Sequence, residues 1–346
     1  MTVRIAMSAI KIAKWLRQEA CLRFRPLTLP SKLAYVHIET STRCNFRCKF
    51  CPIVQRSERL GAGFGSQAFM SLDVFKTILD RIPLEGVESL GIQGYGEVML
   101  NPDFLAIAKY AKTKGVPVSF NSNMSLLTPE IAEALVQCQF DEVDFSIDAA
   151  EPELFSTLRP GIPLPKLLEN LTVLNRIKAA YRSSKPYLGF RVVVSKQNRA
   201  CLEPILYLAQ NYGAKRVFLQ DLQGDDRNEL IKVNRLDQME YVTLKRESQR
   251  YWSRREYKFP VVLTNFKRFE ERPPGVTRCN APWQEIFVTI DGYVTPCCMI
   301  DDPAVLNHSS LLESRFEDIW NGRAYRAFRR ALRSGRPGPC QSCTNY

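Results

Sequence analysis

The chain has 346 residues, 45% hydrophobic and 24% charged, with a formal net charge of +12 and 11 cysteines. That length supports one large or two modest globular units, and no apolar run approaches the roughly 18–20 residues that cross a bilayer, which excludes an integral helical membrane protein. Lys11, Lys14 and Arg17 break any signal-peptide core near the start, so a cytoplasmic chain is expected, its thiols reduced unless they bind metal.

Residues 1–34 read as a basic extension. Ile5, Ile10, Ile12, Trp15 and Leu16 among its Lys and Arg are expected to pack on the main body rather than on a membrane surface. Strand-like runs follow at 35–41, 87–94, 116–123, 142–148, 188–195 and 216–221, alternating with segments of helical spacing. Ser71, Asn101 and Thr128 are helix-start caps, and Gly115 and Gly213 are helix stops. Apolar strands separated by helices predict parallel pairing with both faces covered. Residues 35–230 are therefore expected to form an α/β unit of six βα steps, a partial (β/α)6 barrel like an incomplete TIM barrel, with a doubly wound sheet as the alternative. A charged helical stretch at 229–256 and the Pro-Pro-Gly at 273–275 make 231–270 a helical linker. Residues 271–346 hold five of the cysteines and read as a small Cys-rich α+β domain that depends on metal, with the hairpin EIFVTIDGYVTPC turning at Asp291-Gly292.

The cysteines carry the chemistry. In RCNFRCKFCP, Cys44, Cys48 and Cys51 follow directly on the first strand, at the end where α/β barrels place their active sites. Zinc wants four ligands, commonly in paired CxxC spacing, and the next cysteine is Cys138. A four-iron cluster on three thiolates instead leaves one iron open to a substrate or cofactor. In the tail, Cys279, Cys297, Cys340 and Cys343 suit a fully ligated 4Fe-4S cluster, with a four-cysteine zinc site as the alternative. Cys298 is an alternate ligand or an inert thiol, and a hydrogen-atom donor in the third reading. Cys138, Cys201 and Cys21 read as structural. His37 reads as a core histidine within the first strand and His308 as a loop residue, so no acid–base histidine is expected and no catalytic residue is assigned.

The CxxxCxxC run at Cys44, Cys48 and Cys51 resembles the defining motif of the radical S-adenosylmethionine (SAM) enzymes. The resemblance implies that the open iron chelates SAM, whose reductive cleavage gives a 5′-deoxyadenosyl radical that abstracts a substrate hydrogen. It implies that Phe50 packs near the adenine, and that Gly94, Gly96 and Glu97 in GYGEV correspond to the family's GGE-type stretch, with Glu97 meeting the methionine ammonium. Tyr95 and Val98 depart from that pattern, where glycine and proline are usual. Ser122, Asn123, Ser146 and Asp148, at the ends of the third and fourth strands, are implied SAM contacts, and Arg159 is a candidate for an anionic group. The tail is similar to the SPASM modules of this family and their shortened Twitch form, and its cysteine count implies one auxiliary cluster. A small-molecule substrate is expected, undergoing oxidation, dehydrogenation or epimerisation, with peptide maturation as the alternative. The positive charge suits an acidic flavodoxin or ferredoxin reductant. Nucleic acid is not expected, because no aromatic-interleaved basic signature is present; a non-catalytic iron–sulfur or zinc protein that binds nucleic acid is the alternative of another class.

Overall fold

A computed structural model describes residues 24–30, 32–51, 67–224, 228–253, 257–266, 269, 279–300, 302–335, 337–341 and 343. Cys21 and the rest of residues 1–23 lie outside the described residues.

The six expected strands are present: β1 (Tyr35–Ile38), β2 (Ser89–Ile92), β3 (Val118–Ser122), β4 (Glu142–Ser146), β5 (Tyr187–Val194) and β6 (Arg216–Asp221). They pair in parallel in simple sequential order. A doubly wound sheet reverses its strand order at a switch point, so this order selects the partial barrel. Most strands stop short of their sequence-predicted ends because the last residues leave the ladder and become the loops of the site. The connecting helices are α1 (Leu72–Asp80), α2 (Phe104–Lys112), α3 (Pro129–Gln137), α4 (Pro152–Leu158), α5 (Leu164–Ala180) and α6 (Leu202–Asn211). Val36, Ile38, Leu90, Ile92, Phe120 and Phe145 are buried in the core shared with these helices.

Ser71 accepts from the Val74 amide at 3.4 Å and Thr128 from the Ile131 amide at 3.3 Å, so both act as caps. Gly115 and Gly213 take φ of +72° and +70° at the helix ends. Asn101 does not cap α2. Its amide donates to the carbonyls of Thr40 and Met70, both at 2.8 Å, and ties the loop after β1 to the loop after β2. Its Oδ1 still accepts from the Asp103 amide at 2.8 Å, so one side chain serves the local turn before α2 and the long-range tie together.

The expected helical linker holds two helices, α7 (Glu229–Asn234) and α8 (Gln238–Ser253), and then a strand. Val261–Thr264 is β7, paired in parallel with β6. A β-branched run beside the free edge of β6 gains a ladder and buries Val261, which the nearby Pro-Pro-Gly concealed in the sequence. The two helices part at Arg235, whose guanidinium binds the carbonyls of Leu222 at 3.1 Å and Gly224 at 2.9 Å.

The tail extends the opposite edge of the sheet. After α9 (Ala281–Gln284), β8 (Glu285–Val288) pairs in parallel with β1, and β9 (Val294–Thr295) returns antiparallel to β8. The turn centres on Ile290-Asp291, closed by the Gly292 amide on the Thr289 carbonyl at 2.9 Å; Gly292 itself follows at φ +80°. It therefore sits one residue earlier than the sequence suggested. The helices α10 (Phe316–Trp320) and α11 (Arg323–Ser334) complete the tail. Buried Arg329 on α11 lies between the rings of Trp320 and Tyr325 and donates to the carbonyls of Pro282, Leu27 and Trp320. With the Trp283 indole on the Pro26 carbonyl at 2.9 Å, this straps residues 26–29 to the tail.

Candidate active site

The ends of β1 to β6 surround a cleft of about 230 Å³. Cys44, Cys48 and Cys51 all line it, as do Phe50, Gly94, Gly96, Glu97, Ser122, Asn123, Ser146 and Asp148. Every residue expected at the first cluster and at SAM thus faces one space.

The cysteine loop is held on both sides by backbone. The amides of Gly96 and Glu97 donate to the carbonyls of Ser41 at 3.1 Å and Arg43 at 2.8 Å, and the amides of Arg47 and Lys49 donate to Pro160 and Leu158, both at 2.9 Å. A Cβ on residue 96 would lie 2.4 Å from the Ser41 carbonyl oxygen and 2.6 Å from that of Arg43. Glycine here permits close chain-to-chain contact. Two sulfurs accept hydrogen bonds: Cys44 from the Phe46 amide at 3.4 Å and Cys48 from Arg159 Nη1 at 3.7 Å.

Glu97 is buried and its carboxylate is already oriented. Oε1 accepts from the Ser122 hydroxyl at 2.8 Å and the Met99 amide at 3.2 Å, and Oε2 from the Asn123 amide at 2.8 Å. Ser122 and the Asn123 backbone therefore serve Glu97, while the Asn123 side chain bonds Asn45 at 3.0 Å. Burial pushes the Glu97 carboxyl above the usual range despite these donors; an ammonium group beside it would restore the charge.

Asp148 and Arg159 form a buried pair, Oδ2 to Nε at 2.7 Å, and Asp148 Oδ1 accepts from the Val193 amide at 2.8 Å. Burial opposes the guanidinium charge, but Asp148 and Cys48 raise its pKa beyond the ordinary arginine value. Arg159 owes its position to α4, a short helix absent from the sequence reading. Burial pushes the Cys44 and Cys48 thiols up, and at Cys48 Arg159 works the other way.

Three further parts of the site were not found from sequence. Arg191 and Gln220 line the cleft from β5 and β6; Arg191 pairs with Asp144 and stacks on Phe218 at 4.4 Å, with Arg216 over the same ring at 4.6 Å. Period-two alternation along the strands carried that signal. Tyr95, noticed only as a departure, packs edge-on against Phe287 and donates its hydroxyl to the Cys298 carbonyl, which links the cleft to the tail. His37 lies 3.2 Å from Gln93, and burial with the Arg191 charge lowers its pKa to about 4, so it is neutral.

In the tail, burial pushes the Cys297 thiol well above its usual value, and the Cys343 amide donates to the Cys340 carbonyl at 3.2 Å. Cys340 is buried and Cys298 exposed, while Cys138 and Cys201 are part-buried. Among the described residues no three His, Cys, Asp or Glu side chains converge as ligands of a single metal ion.

Comparison with known proteins decides the family. The Radical SAM superfamily model matches residues 38–207, and the model of an iron–sulfur cluster-binding domain, SPASM, matches residues 279–344. The chain belongs to the radical SAM superfamily. It carries a C-terminal SPASM module, and its cofactors are 4Fe-4S clusters and SAM. Among curated relatives, a tungsten-containing aldehyde ferredoxin oxidoreductase cofactor-modifying protein of Pyrococcus furiosus is 23% identical over 90% of this chain and 87% of its own length. The mycofactocin maturase MftC of Mycobacterium tuberculosis is 25% identical over 93% and 76%. Among solved structures, Streptococcus suis SuiB bound to precursor peptide SuiA superposes with a TM-score of 0.69 at 14% identity, covering 100% of this chain and 76% of that one. That likeness is one of fold. Among the described residues no helix is long and apolar enough to cross a membrane.

Proposed function

We propose that this radical SAM enzyme matures a peptide or a peptide-derived cofactor precursor by removing a hydrogen atom from it, with net oxidation. In this reading Cys44, Cys48 and Cys51 hold the SAM-binding cluster, and Cys279, Cys297, Cys340 and Cys343 hold one auxiliary cluster. A cluster bound at Cys44, Cys48 and Cys51 would supply the electron for reductive cleavage of SAM, and SAM the group that takes up the hydrogen atom. The protein's own part is placement. Glu97 receives the methionine ammonium, held by Ser122 and the Asn123 amide; Arg159, fixed by Asp148, faces the carboxylate; Phe50 packs on the adenine. Gly94 and Gly96 shape the loop, and Ser146 lines the substrate side.

The observation that carries the reading is the gathering of three thiols, an oriented carboxylate and a paired arginine around one cleft. The maturation reading is supported by relatives that span at least nine-tenths of the chain, a cofactor-modifying protein and a mycofactocin maturase. A second reading, oxidation or epimerisation of a small molecule, is favoured by the polar side chains Asn121, Arg191 and Gln220 that line the cleft. An acidic flavodoxin or ferredoxin of the cytoplasm delivers the electron.

The test is anaerobic reconstitution with iron and sulfide, then SAM and dithionite. About eight irons and 5′-deoxyadenosine are expected, and their absence overturns the reading. Adding peptide and small-molecule fractions of cell extract separately then decides the substrate: the fraction that stimulates deoxyadenosine formation holds it.

A further inference from the structure

The face of α11 turned away from the tail core carries four arginines. Arg323, Arg326, Arg330 and Arg333 are all exposed, and the spacing of 3, 4 and 3 residues puts them within about 80° of the helix circumference along about 15 Å. Beside the stripe the exposed side chains Ala327 and Ala331 are small, so the guanidinium groups stand clear on that flank. Among the described residues none of the four makes an ion pair with a carboxylate. They are poised for an outside partner.

The buried side of the same helix packs on the tail core: Tyr325 is buried and donates its hydroxyl to the Glu285 carbonyl at 3.4 Å. The chain after α11 leads within a few residues to Cys340 and Cys343. Ser334, the last residue of α11, is six positions from Cys340 and nine from Cys343, so the arginine stripe lies on the helix that leads into the auxiliary thiols. A basic surface there suits a partner that is both acidic and redox-active.

We propose that the Arg323–Arg326–Arg330–Arg333 stripe is the docking surface for an acidic one-electron carrier of the flavodoxin class, which exchanges electrons with the protein through the tail. The inference rests on the radical SAM reading and adds the surface. One electron leaves the flavin hydroquinone, giving the semiquinone, for each electron the protein takes up.

The test uses the reconstituted holoenzyme and a purified acidic flavodoxin. Arg326→Glu/Arg330→Glu should weaken flavodoxin binding, measured by fluorescence titration, by about tenfold or more, and slow flavodoxin-driven deoxyadenosine formation as much. Iron content and the dithionite-driven rate should stay unchanged. Lys245→Glu/Arg246→Glu, an equal change in net charge on exposed α8 residues, should leave binding intact. Raising salt should weaken wild-type binding steeply and affect the α11 variant little. Equal loss in both variants, or no loss in the α11 variant, overturns the proposal, as does tighter α11-dependent binding to RNA or anionic vesicles than to flavodoxin. Failure of dithionite to drive SAM cleavage in the wild type would instead refute the enzyme reading, and the binding titration would still judge the stripe.

Discussion

Arg159→Gln removes a positive charge whose Nη1 lies 3.7 Å from the sulfur of Cys48. The side chains of Arg159 and its partner Asp148 are 11% and 8% exposed, so water screens them little. At an effective dielectric of about 20, unit charges about 4 Å apart interact by ~4 kcal/mol. Asp148, 2.7 Å from Arg159, opposes this, and an electron added to a cluster spreads beyond the nearest sulfur. About 1.4 kcal/mol should survive, which is ~60 mV for a one-electron couple. The positive charge favours the reduced state, so the Gln variant should have a midpoint lower by that amount. Asp148→Asn removes the opposing charge and should raise it, and Arg159→Lys should stay near wild type. The assay is an anaerobic redox titration followed by electron paramagnetic resonance of the Cys44/Cys48/Cys51 cluster, in a Cys279→Ala background to remove the second signal. A midpoint unmoved in both variants, or moved the same way in both, refutes the reasoning.

Glu97→Gln should weaken SAM binding roughly ten- to a hundredfold, because a charged hydrogen-bonded contact contributes about 1.5–3 kcal/mol; equilibrium dialysis measures it. Since burial raises the Glu97 pKa, wild-type SAM affinity should fall as pH drops through a value above the ordinary carboxylate range. The Gln variant should lack that limb of the profile. Gly96→Ala places a Cβ 2.4 Å from a backbone oxygen and should cost about 1–3 kcal/mol by forcing the cysteine loop aside. Lower thermal stability and poorer iron loading would report it, and a variant that loads iron normally would show that the loop yields. Cys279→Ala should lose about half the bound iron, the share of one of two four-iron clusters, and retain SAM cleavage; loss of all iron would sink the two-cluster assignment.

Strand positions were legible because a parallel strand buried on both faces is an apolar run between helices, and β1 to β6 read that way. Cap residues were legible at Ser71 and Thr128; Asn101 also takes a local amide, that of Asp103, but its own amide group is recruited by the carbonyls of Thr40 and Met70, which its sequence neighbourhood does not show. Val261–Thr264 was missed because a four-residue strand becomes one only when β6 offers it an edge. The cleft residues named at strand ends all face the cleft, yet the division of labour among them was invisible: Ser122 looked like a ligand group and proves to be a donor to Glu97.

What the sequence determined by itself is the metal chemistry, because three thiols within eight positions of one loop must share a neighbourhood however the rest folds. Membership of the family and the number of βα steps rest on the same kind of short-range information. The tertiary structure alone decided which groups act together across the chain: Arg159 on the sulfur of Cys48, Tyr95 on the Cys298 carbonyl, β8 beside β1. Those contacts join residues 111 and 203 positions apart in the first two cases, and spacing along a chain carries no record of pairings that only closure of the sheet brings about.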